Sequence, residues 1–156
     1  MGYKSMSACI ADLEKNGHLV RIREEVDPFL EMASIHLRVH ERGGPAIFYE
    51  KVKGSQFPAV SNLFGTMERS RFIFRDTLEV VKKMVRLKAN PIQALKNPIE
   101  NAAVPFAALK ALPRKAFFNP PITYLQTRIS DLPQVHCWPM DGGPFVTLPI
   151  VYTEDI

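Results

Sequence analysis

The sequence is poor in cysteine and contains no long apolar run. Cys9 and Cys137 are the two cysteines among 156 residues, and they stand far apart. Such a pair provides neither a disulfide framework nor the spacing of a metal site, and it is typical of the reducing cytoplasm. No stretch approaches the roughly 18 consecutive apolar residues that a membrane helix needs. These absences argue against a secreted disulfide scaffold and a helical membrane protein, and they predict a cytoplasmic location.

Extremes of charge and polarity are also missing. Hydrophobic residues make up 46% of the chain and charged residues 23%, with a formal net charge of +4. These values are ordinary for a globular protein and argue against wholesale disorder. A chain of this length is enough for one domain and short for two.

Proline, by contrast, is abundant and unevenly placed. Three of the 13 prolines precede residue 60, and the other ten follow residue 90. Proline lacks a backbone donor and resists helix and strand interiors. We therefore expect the α/β pattern to give way to extended chain near residue 90. A strand pattern at Ile122–Ser130 starts a new β-rich unit, and we place the N-terminal α/β domain at residues 1–115 and this unit at 116–156. Residues 146–156 resemble a strand with no closing turn, which predicts a truncated chain.

The amino-terminal third alternates helical and strand patterns. Ser5 is a suitable N-cap for a first helix that Gly17 ends. Asp27-Pro28 opens a second helix, because proline is tolerated at a first helical position, and Gly43 ends it. Strands are predicted at residues 18–24, 46–50 and 58–61. This order of elements predicts an α/β fold.

The second predicted helix is apolar on two sides. One stripe contains Leu30, Ala33 and Leu37, and a nearly opposite stripe contains Met32, Ile35 and Val39. A helix of this kind is usually covered on both faces. We expect more of the same polypeptide, or a subunit partner, to supply the missing cover.

A third helix is predicted to start at Asp76, which forms a capping box with Glu79. One of its faces is basic and carries Lys82, Lys83 and Arg86. A solvated helix face explains this pattern best, since no RRM, KH or helix-turn-helix signature accompanies it, and we expect no nucleic-acid partner. A stand-alone basic module that binds an anionic partner remains the alternative function.

Two histidine pairs are candidates for chemistry. His36 and His40 stand four residues apart on the second helix, where both rings could reach one ion, but the further ligands of a metal site are missing. His136 and Cys137 are adjacent, and neighbours on an extended chain point to opposite faces, so the imidazole would not activate the thiol. Packing is the favoured interpretation of both pairs.

Two turns complete the candidates. Residues 62–66, Asn-Leu-Phe-Gly-Thr, are either a structural bend before a helix or part of an active-site cleft. Asp141, Gly142 and Gly143 form a turn that leads into a strand, and the glycines would let the backbone approach a ligand closely.

Read in order, the motifs of this chain resemble the amino-terminal region of the UbiD-type carboxy-lyases. No single motif is specific, but their order and spacing are compatible with the family throughout. The motifs are Tyr3-Lys4-Ser5, residues 15–22, Val26-Asp27-Pro28 with Glu31, residues 43–46, Lys53-Gly54 with Pro58, residues 62–66 with Arg69, and Asp131-Leu132 with residues 138–143 and 145–147.

The resemblance implies a small amino-terminal α/β domain followed by the first strands of an incomplete split β-barrel that binds flavin. It also implies a non-oxidative decarboxylase of an aromatic or unsaturated acid, such as 3-polyprenyl-4-hydroxybenzoate in ubiquinone-type biosynthesis. The implied cofactor is prenylated FMN, which a flavin prenyltransferase supplies. Manganese and potassium ions are implied beside it. The complete enzyme would be a homo-oligomer.

Site residues carried over from the family are few. Thr147 would lie on a barrel strand near the flavin, with Asp141, Gly142 and Gly143 shaping the loop before it. The family's phosphate and metal segment and its Glu-Arg-Glu proton-transfer set have no counterpart in this chain. We therefore predict no catalytic residue, no metal ligand and no activity for the chain alone.

Overall fold

A computed structural model describes residues 2–89 and 126–145. The described residues form an α/β fold with a three-stranded sheet in the order β1-β2-β3. β1 pairs with β2 in parallel, and β2 pairs with β3 antiparallel. The expected fold class is confirmed. The elements are α1 (Met6–Lys15), β1 (Leu19–Val26), α2 (Glu31–Glu41), β2 (Ala46–Val52), β3 (Ala59–Ser61), α3 (Met67–Ile73) and α4 (Arg75–Ala89).

α1 begins and ends where its cap residues predict. The Ser5 hydroxyl accepts a hydrogen bond from the Ala8 amide at 3.2 Å, which satisfies one of the free amides of the first turn. At the other end Gly17 has a φ of 74°, a left-handed conformation that glycine adopts without strain. Cys9, Ile10 and Leu13 form the buried face of the helix.

The sheet separates two hydrophobic clusters because successive side chains on β2 point to opposite faces. Ala46 belongs to the cluster with the α1 residues, and Phe48 packs against it. Ile47 and Tyr49 are fully buried in the other cluster, which includes Met32 of α2. β2 is therefore covered on both faces and forms the centre of the described core.

α2 begins at Glu31, three residues after the predicted start at Pro28. Leu30, which precedes it, has a φ of 64°, and residues 27–30 form a turn instead of helix. The backbone of this turn bonds His136: the His136 amide donates to the Pro28 carbonyl, and the Leu30 amide donates to the His136 carbonyl, both at 3.1 Å. A contact distant in sequence therefore sets the beginning of α2.

The two apolar stripes of α2 have different surroundings. Met32 is buried against the sheet, with Ile35 and Val39 packed on the same cluster. Leu37, on the other stripe, is 47% exposed. The side of α2 left without a cover by the described residues is thus the Leu37 side.

The chain between β3 and α4 contains a helix that the sequence patterns did not predict. α3 is capped by Thr66, whose hydroxyl accepts a hydrogen bond from the Arg69 amide at 3.2 Å. α4 begins at Arg75, directly after Phe74, the C-cap residue of α3, so Asp76 lies in its first turn. The prediction of Asp76 as N-cap was therefore wrong by two residues, because the N-cap position of a helix that starts at Arg75 is Phe74.

Residues 126–145 follow an irregular path. Ile129–Asp131 is a short 3-10 helix. The Arg128 amide, which precedes it, donates a hydrogen bond to Asp131 Oδ2 at 3.1 Å. The predicted strand at Ile122–Ser130 is therefore wrong over residues 126–130, and residues 122–125 lie outside the described part of the chain. Within the described residues no helix combines the length and apolarity needed to cross a membrane.

A polar cluster ties the amino terminus to the start of α4. Asp12 Oδ2 accepts hydrogen bonds from the Tyr3 hydroxyl at 2.6 Å and from Arg75 Nη2 at 2.7 Å. The Tyr3 hydrogen bond, and then that of Arg75, hold the pKa of Asp12 below its ordinary value. The charged carboxylate is therefore favoured in the folded state.

We expect this cluster to add to acid sensitivity. Because the pKa of Asp12 is lower in the folded state, its contribution is complete above the unfolded value near 4 and is lost as the pH falls through the folded value. Asp12→Asn should flatten part of the decline in unfolding free energy between about pH 5 and pH 2. Urea unfolding across this range measures the effect, with Glu41→Gln on α2 as the control. Equal slopes for wild type and Asp12→Asn would refute the expectation.

Candidate functional site

An apolar cleft of about 960 Å³ lies between α2, the turn after β3, and residues 132–145. Its volume is at the upper end of the range of small-molecule sites. Most of its walls are aliphatic or aromatic, and a few polar side chains face it from α2 and the turn. The wall residues used below are Leu37, His36, His40, Asn62, Phe64 and Phe145.

Asn62 orients one of the two histidines of the cleft. The Asn62 side-chain amide donates to the carbonyl oxygens of Gly44 at 3.2 Å and Pro45 at 2.9 Å. Its Oδ1 is therefore left as the acceptor for His40 Nδ1, 3.2 Å away. This arrangement places the proton of a neutral His40 on Nδ1 and leaves Nε2 as an acceptor with no partner among residues 2–89 and 126–145.

His36 stacks on His40. Their ring centroids are 5.8 Å apart and the rings are nearly parallel, at 9°. Burial, followed by the neighbouring His40, lowers the pKa of His36. Within residues 2–89 and 126–145 no group of three or more histidine, cysteine or acidic side chains could hold a metal ion. The described contacts support packing as the role of this pair.

The turn at residues 62–66 is held by a buried arginine. Arg69 is 3% exposed, and its guanidinium donates to the carbonyl oxygens of Leu63 at 3.0 Å, Gly44 at 3.0 Å and Asn62 at 2.6 Å. We call Arg69, Asn62 and these carbonyls the Arg69 clamp. Burial lowers the pKa of Arg69. The clamp fixes the turn between β3 and α3, and Asn62 and Phe64 of the same turn line the cleft. The interpretation of residues 62–66 as a structural bend is therefore supported, and their place in an active-site cleft stays a prediction.

The clamp itself was not identified from the sequence. Arg69 is grouped with residues 62–66 only through the family resemblance, and no local pattern marks its side chain as buried. The available signal was Asn62 with Gly65 three residues later in the same turn. Two residues suited to unusual backbone geometry in one turn indicate a tightly packed bend.

The predicted flavin loop is shaped by Asp141. Its Oδ2 accepts hydrogen bonds from the amides of Cys137 at 3.0 Å and Trp138 at 2.9 Å. A Cβ at Gly142 or Gly143 would meet no other heavy atom within 4 Å, so the backbone there is accessible. Thr147 lies outside the described residues. A role for these four residues toward a flavin stays a prediction.

The remaining candidates are placed as follows. The His136 ring packs on Phe29 with centroids 5.2 Å apart, while Cys137 lines the cleft. Burial, and then Asp141, raise the pKa of the Cys137 thiol, which opposes thiolate formation and a nucleophilic role.

On the basic face of α4, Lys82 Nζ forms an ion pair with Glu79 Oε1 at 2.8 Å. The side chains of Lys83 and Arg86 lie outside the described part of the basic face.

Two family models match the chain in sequence order. The model of the 3-octaprenyl-4-hydroxybenzoate carboxy-lyase N-terminal domain matches residues 10–88. The model of the Rift-related domain of the same carboxy-lyase matches residues 115–156. The chain belongs to the UbiD carboxy-lyase family. The cleft lies between the two matched regions, because α2 and the Asn62 turn fall in the first and residues 132–145 fall in the second.

Relatives of this UbiD chain occur in distant organisms. An uncharacterised protein of Chlamydia trachomatis is 38% identical over 154 residues, covering 96% of this chain and 26% of the relative. The Synechocystis protein sll0936 is 36% identical over 153 residues, covering 92% of this chain and 30% of its own. An Archaeoglobus fulgidus protein is 29% identical over 158 residues, covering 99% of this chain and 33% of the relative. The chain thus spans about a quarter to a third of the length of these relatives.

Solved UbiD-class enzymes overlap the chain over short regions. Vanillic acid decarboxylase of Sedimentibacter hydroxybenzoicus is 31% identical, with a TM-score of 0.44, and the match covers 46% of this chain and 16% of the enzyme. HmfF of Pelotomaculum thermopropionicum, solved in an evolved dimeric form with prFMN, is 35% identical, with a TM-score of 0.40 over 44% of this chain and 16% of that one. Overlaps of this quality support no functional argument.

Proposed function

We propose that this chain is the amino-terminal part of a prenylated-FMN-dependent decarboxylase that acts on an aromatic or unsaturated acid. The observation that carries the proposal is the match to two UbiD domains in order, which meet at the cleft. A substrate such as 3-polyprenyl-4-hydroxybenzoate, manganese and potassium ions, and a prenyltransferase as cofactor source are part of the same proposal. So are the domain limits 1–115 and 116–156, a cytoplasmic location and homo-oligomerisation of the complete enzyme.

The chemistry explains why the cofactor is needed. Loss of carbon dioxide leaves carbanion-like charge on the substrate, and a modified flavin, when bound, supplies the electron sink for it. The described residues fit a supporting role in such a site. The backbone at Gly142 and Gly143 is accessible. Asp141 Oδ2 accepts hydrogen bonds from two backbone amides and so fixes the shape of the loop.

The amino-terminal domain would act as the scaffold on which this loop is mounted. His136 joins the loop segment to the start of α2 through two backbone hydrogen bonds, and Ser55 donates to the Asp131 carbonyl at 2.7 Å. These contacts fix the position of residues 131–136 against the sheet. Proton delivery and substrate carboxylate binding would then fall to residues beyond this chain.

The test uses the complete polypeptide produced together with a flavin prenyltransferase. We expect prenylated FMN to copurify, and a panel of aromatic and unsaturated acids to include one that loses carbon dioxide. The 156-residue chain alone is expected to retain no flavin and to decarboxylate none of them. Flavin bound to the short chain at the same stoichiometry, or a flavin-loaded complete protein inert toward the whole panel, would refute the proposal.

A variant tests the predicted cofactor residue. Thr147→Val in the complete protein should lower the flavin-to-protein ratio several-fold, because it removes the proposed hydroxyl at the flavin and preserves side-chain shape. Thr127→Val is the matched control, since Thr127 bonds Asp131 instead. Unchanged flavin content in Thr147→Val would remove Thr147 from the site.

A further inference from the structure

The cleft is an unusually large apolar opening for so short a chain. Leu37, Phe64 and Phe145 all line it, and they are 47%, 48% and 41% exposed. Contiguous apolar surface of this kind on a protein marks a place where something binds. The question is therefore which partner covers it.

Three observations point to the protein's own polypeptide. Its relatives are about three to four times as long as this chain, so much of a complete UbiD protein lies outside it. The cleft wall at residues 132–145 falls in the match to the Rift-related domain, so the cleft lies beside a second domain of the same polypeptide. α2 is apolar on both sides, a pattern typical of a helix buried within one larger fold.

The covalent connection between the cleft and the rest of the polypeptide is a further reason to expect this partner. A segment of the same polypeptide reaches the cleft at a high effective concentration, so it outcompetes a separate molecule of equal contact area. A small apolar ligand would fit the volume, but it would leave a cleft open toward solvent only partly covered.

We propose that the cleft is filled by apolar side chains from the part of the same polypeptide that follows residue 156. This segment presents one hydrogen-bond donor to His40 Nε2, because a covered acceptor without a partner is costly. The proposal rests on the proposed function, in which this chain is the amino-terminal part of a longer enzyme. It assigns the Leu37 side of α2 to an interface inside that enzyme.

Histidine labelling of the complete protein with diethyl pyrocarbonate tests the cover directly. We expect His36 and His40 to react at least about tenfold more slowly than in the same protein unfolded in urea, as protected groups do. The protection should be independent of protein concentration and should persist through prolonged dialysis. Labelling at the unfolded rate overturns the proposal. Protection lost on dilution indicates a second copy, and protection lost on dialysis indicates a small ligand. Both of these outcomes overturn it as well.

Paired variants locate the interface. In the complete protein Leu37→Glu should restore labelling of His40 and lower the Tm, because a carboxylate would be buried against apolar side chains. Arg38→Glu places the same residue one position further along α2, outside the cleft lining, and should change neither. If Leu37→Glu does not fold, the labelling of the wild type still decides.

Flavin content and decarboxylation, measured on the same preparation, separate this inference from the proposed function. An active, flavin-loaded enzyme with freely labelled histidines overturns only the inference. Protected histidines in a protein without flavin or activity leave the inference in place and count against the function.

Discussion

Arg69→Met is expected to lower the free energy of unfolding by about 3–5 kcal/mol. The guanidinium donates to three backbone carbonyls while only 3% exposed. Methionine would remove all three bonds and leave the Leu63 carbonyl without a donor among the described residues, because the Gly44 and Asn62 carbonyls keep those from the Asn62 side chain and the Gly65 amide. Among the described residues no carboxylate pairs with Arg69, so the carbonyls alone offset the cost of burying its charge. A loss of this size is a large part of the stability of a small domain.

Urea unfolding measures this loss, and two further variants make it specific. Arg71→Met, on the exposed side of the same helix α3, should change stability by no more than about 0.5 kcal/mol. Arg69→Lys should also be destabilising, because one ammonium group cannot reach three carbonyls placed around a planar fork. If Arg69→Met and Arg71→Met proved equivalent, the clamp would have no energetic role.

Gly65→Ala is expected to cost about 2–3 kcal/mol, the cost typical of an overpacked site. A Cβ at residue 65 would overlap Oδ1 of Asn62 and lie 3.0 Å from Nη2 of Arg69. Asn62 cannot move aside freely, since it is buried, has a φ of 58° and bonds the Gly44 and Pro45 carbonyls. Position 65 therefore requires glycine, because no space is left there for a side chain.

Gly143→Ala is the matched control for this substitution, because its Cβ would meet nothing within 4 Å. It should be neutral in urea unfolding within about 0.5 kcal/mol. In the flavin-loaded complete protein the same variant also tests whether a bound group approaches that backbone. A neutral Gly65→Ala would show that the turn around Asn62 adapts easily.

The parts of the fold set by neighbouring residues could be predicted. Ser5 and Gly17 mark the ends of α1 because caps act within a few residues of the chain, and the three strands follow from alternation and turn residues. The start of α2 could not be found in this way. Leu30 has a positive φ where its turn bonds His136, more than a hundred residues away, and no local pattern reports such a contact.

The predicted strand at residues 122–130 shows a different limit. β-branched residues favour a strand there, yet Asp131 accepts from the Thr127 hydroxyl and the Arg128 amide and so holds a 3-10 turn. Local side-chain hydrogen bonds compete with strand pairing.

The candidate site was predicted less well than the fold. The Asn62 turn was identified, whereas the cleft and the burial of Arg69 depend on tertiary packing, and the role of the glycine loop stays a prediction.

The bonds that link the two matched regions depend little on which side chains are present. At residues 28–30 and 136 the joining bonds are between main-chain atoms, and Ser55 also donates to a main-chain carbonyl. Main-chain groups are the same in every amino acid except proline, so substitutions at Phe29 or His136 leave these bonds available. The side chains at these two positions can therefore change without removing the two main-chain bonds that hold the loop on the scaffold, whereas the third bond requires the Ser55 hydroxyl.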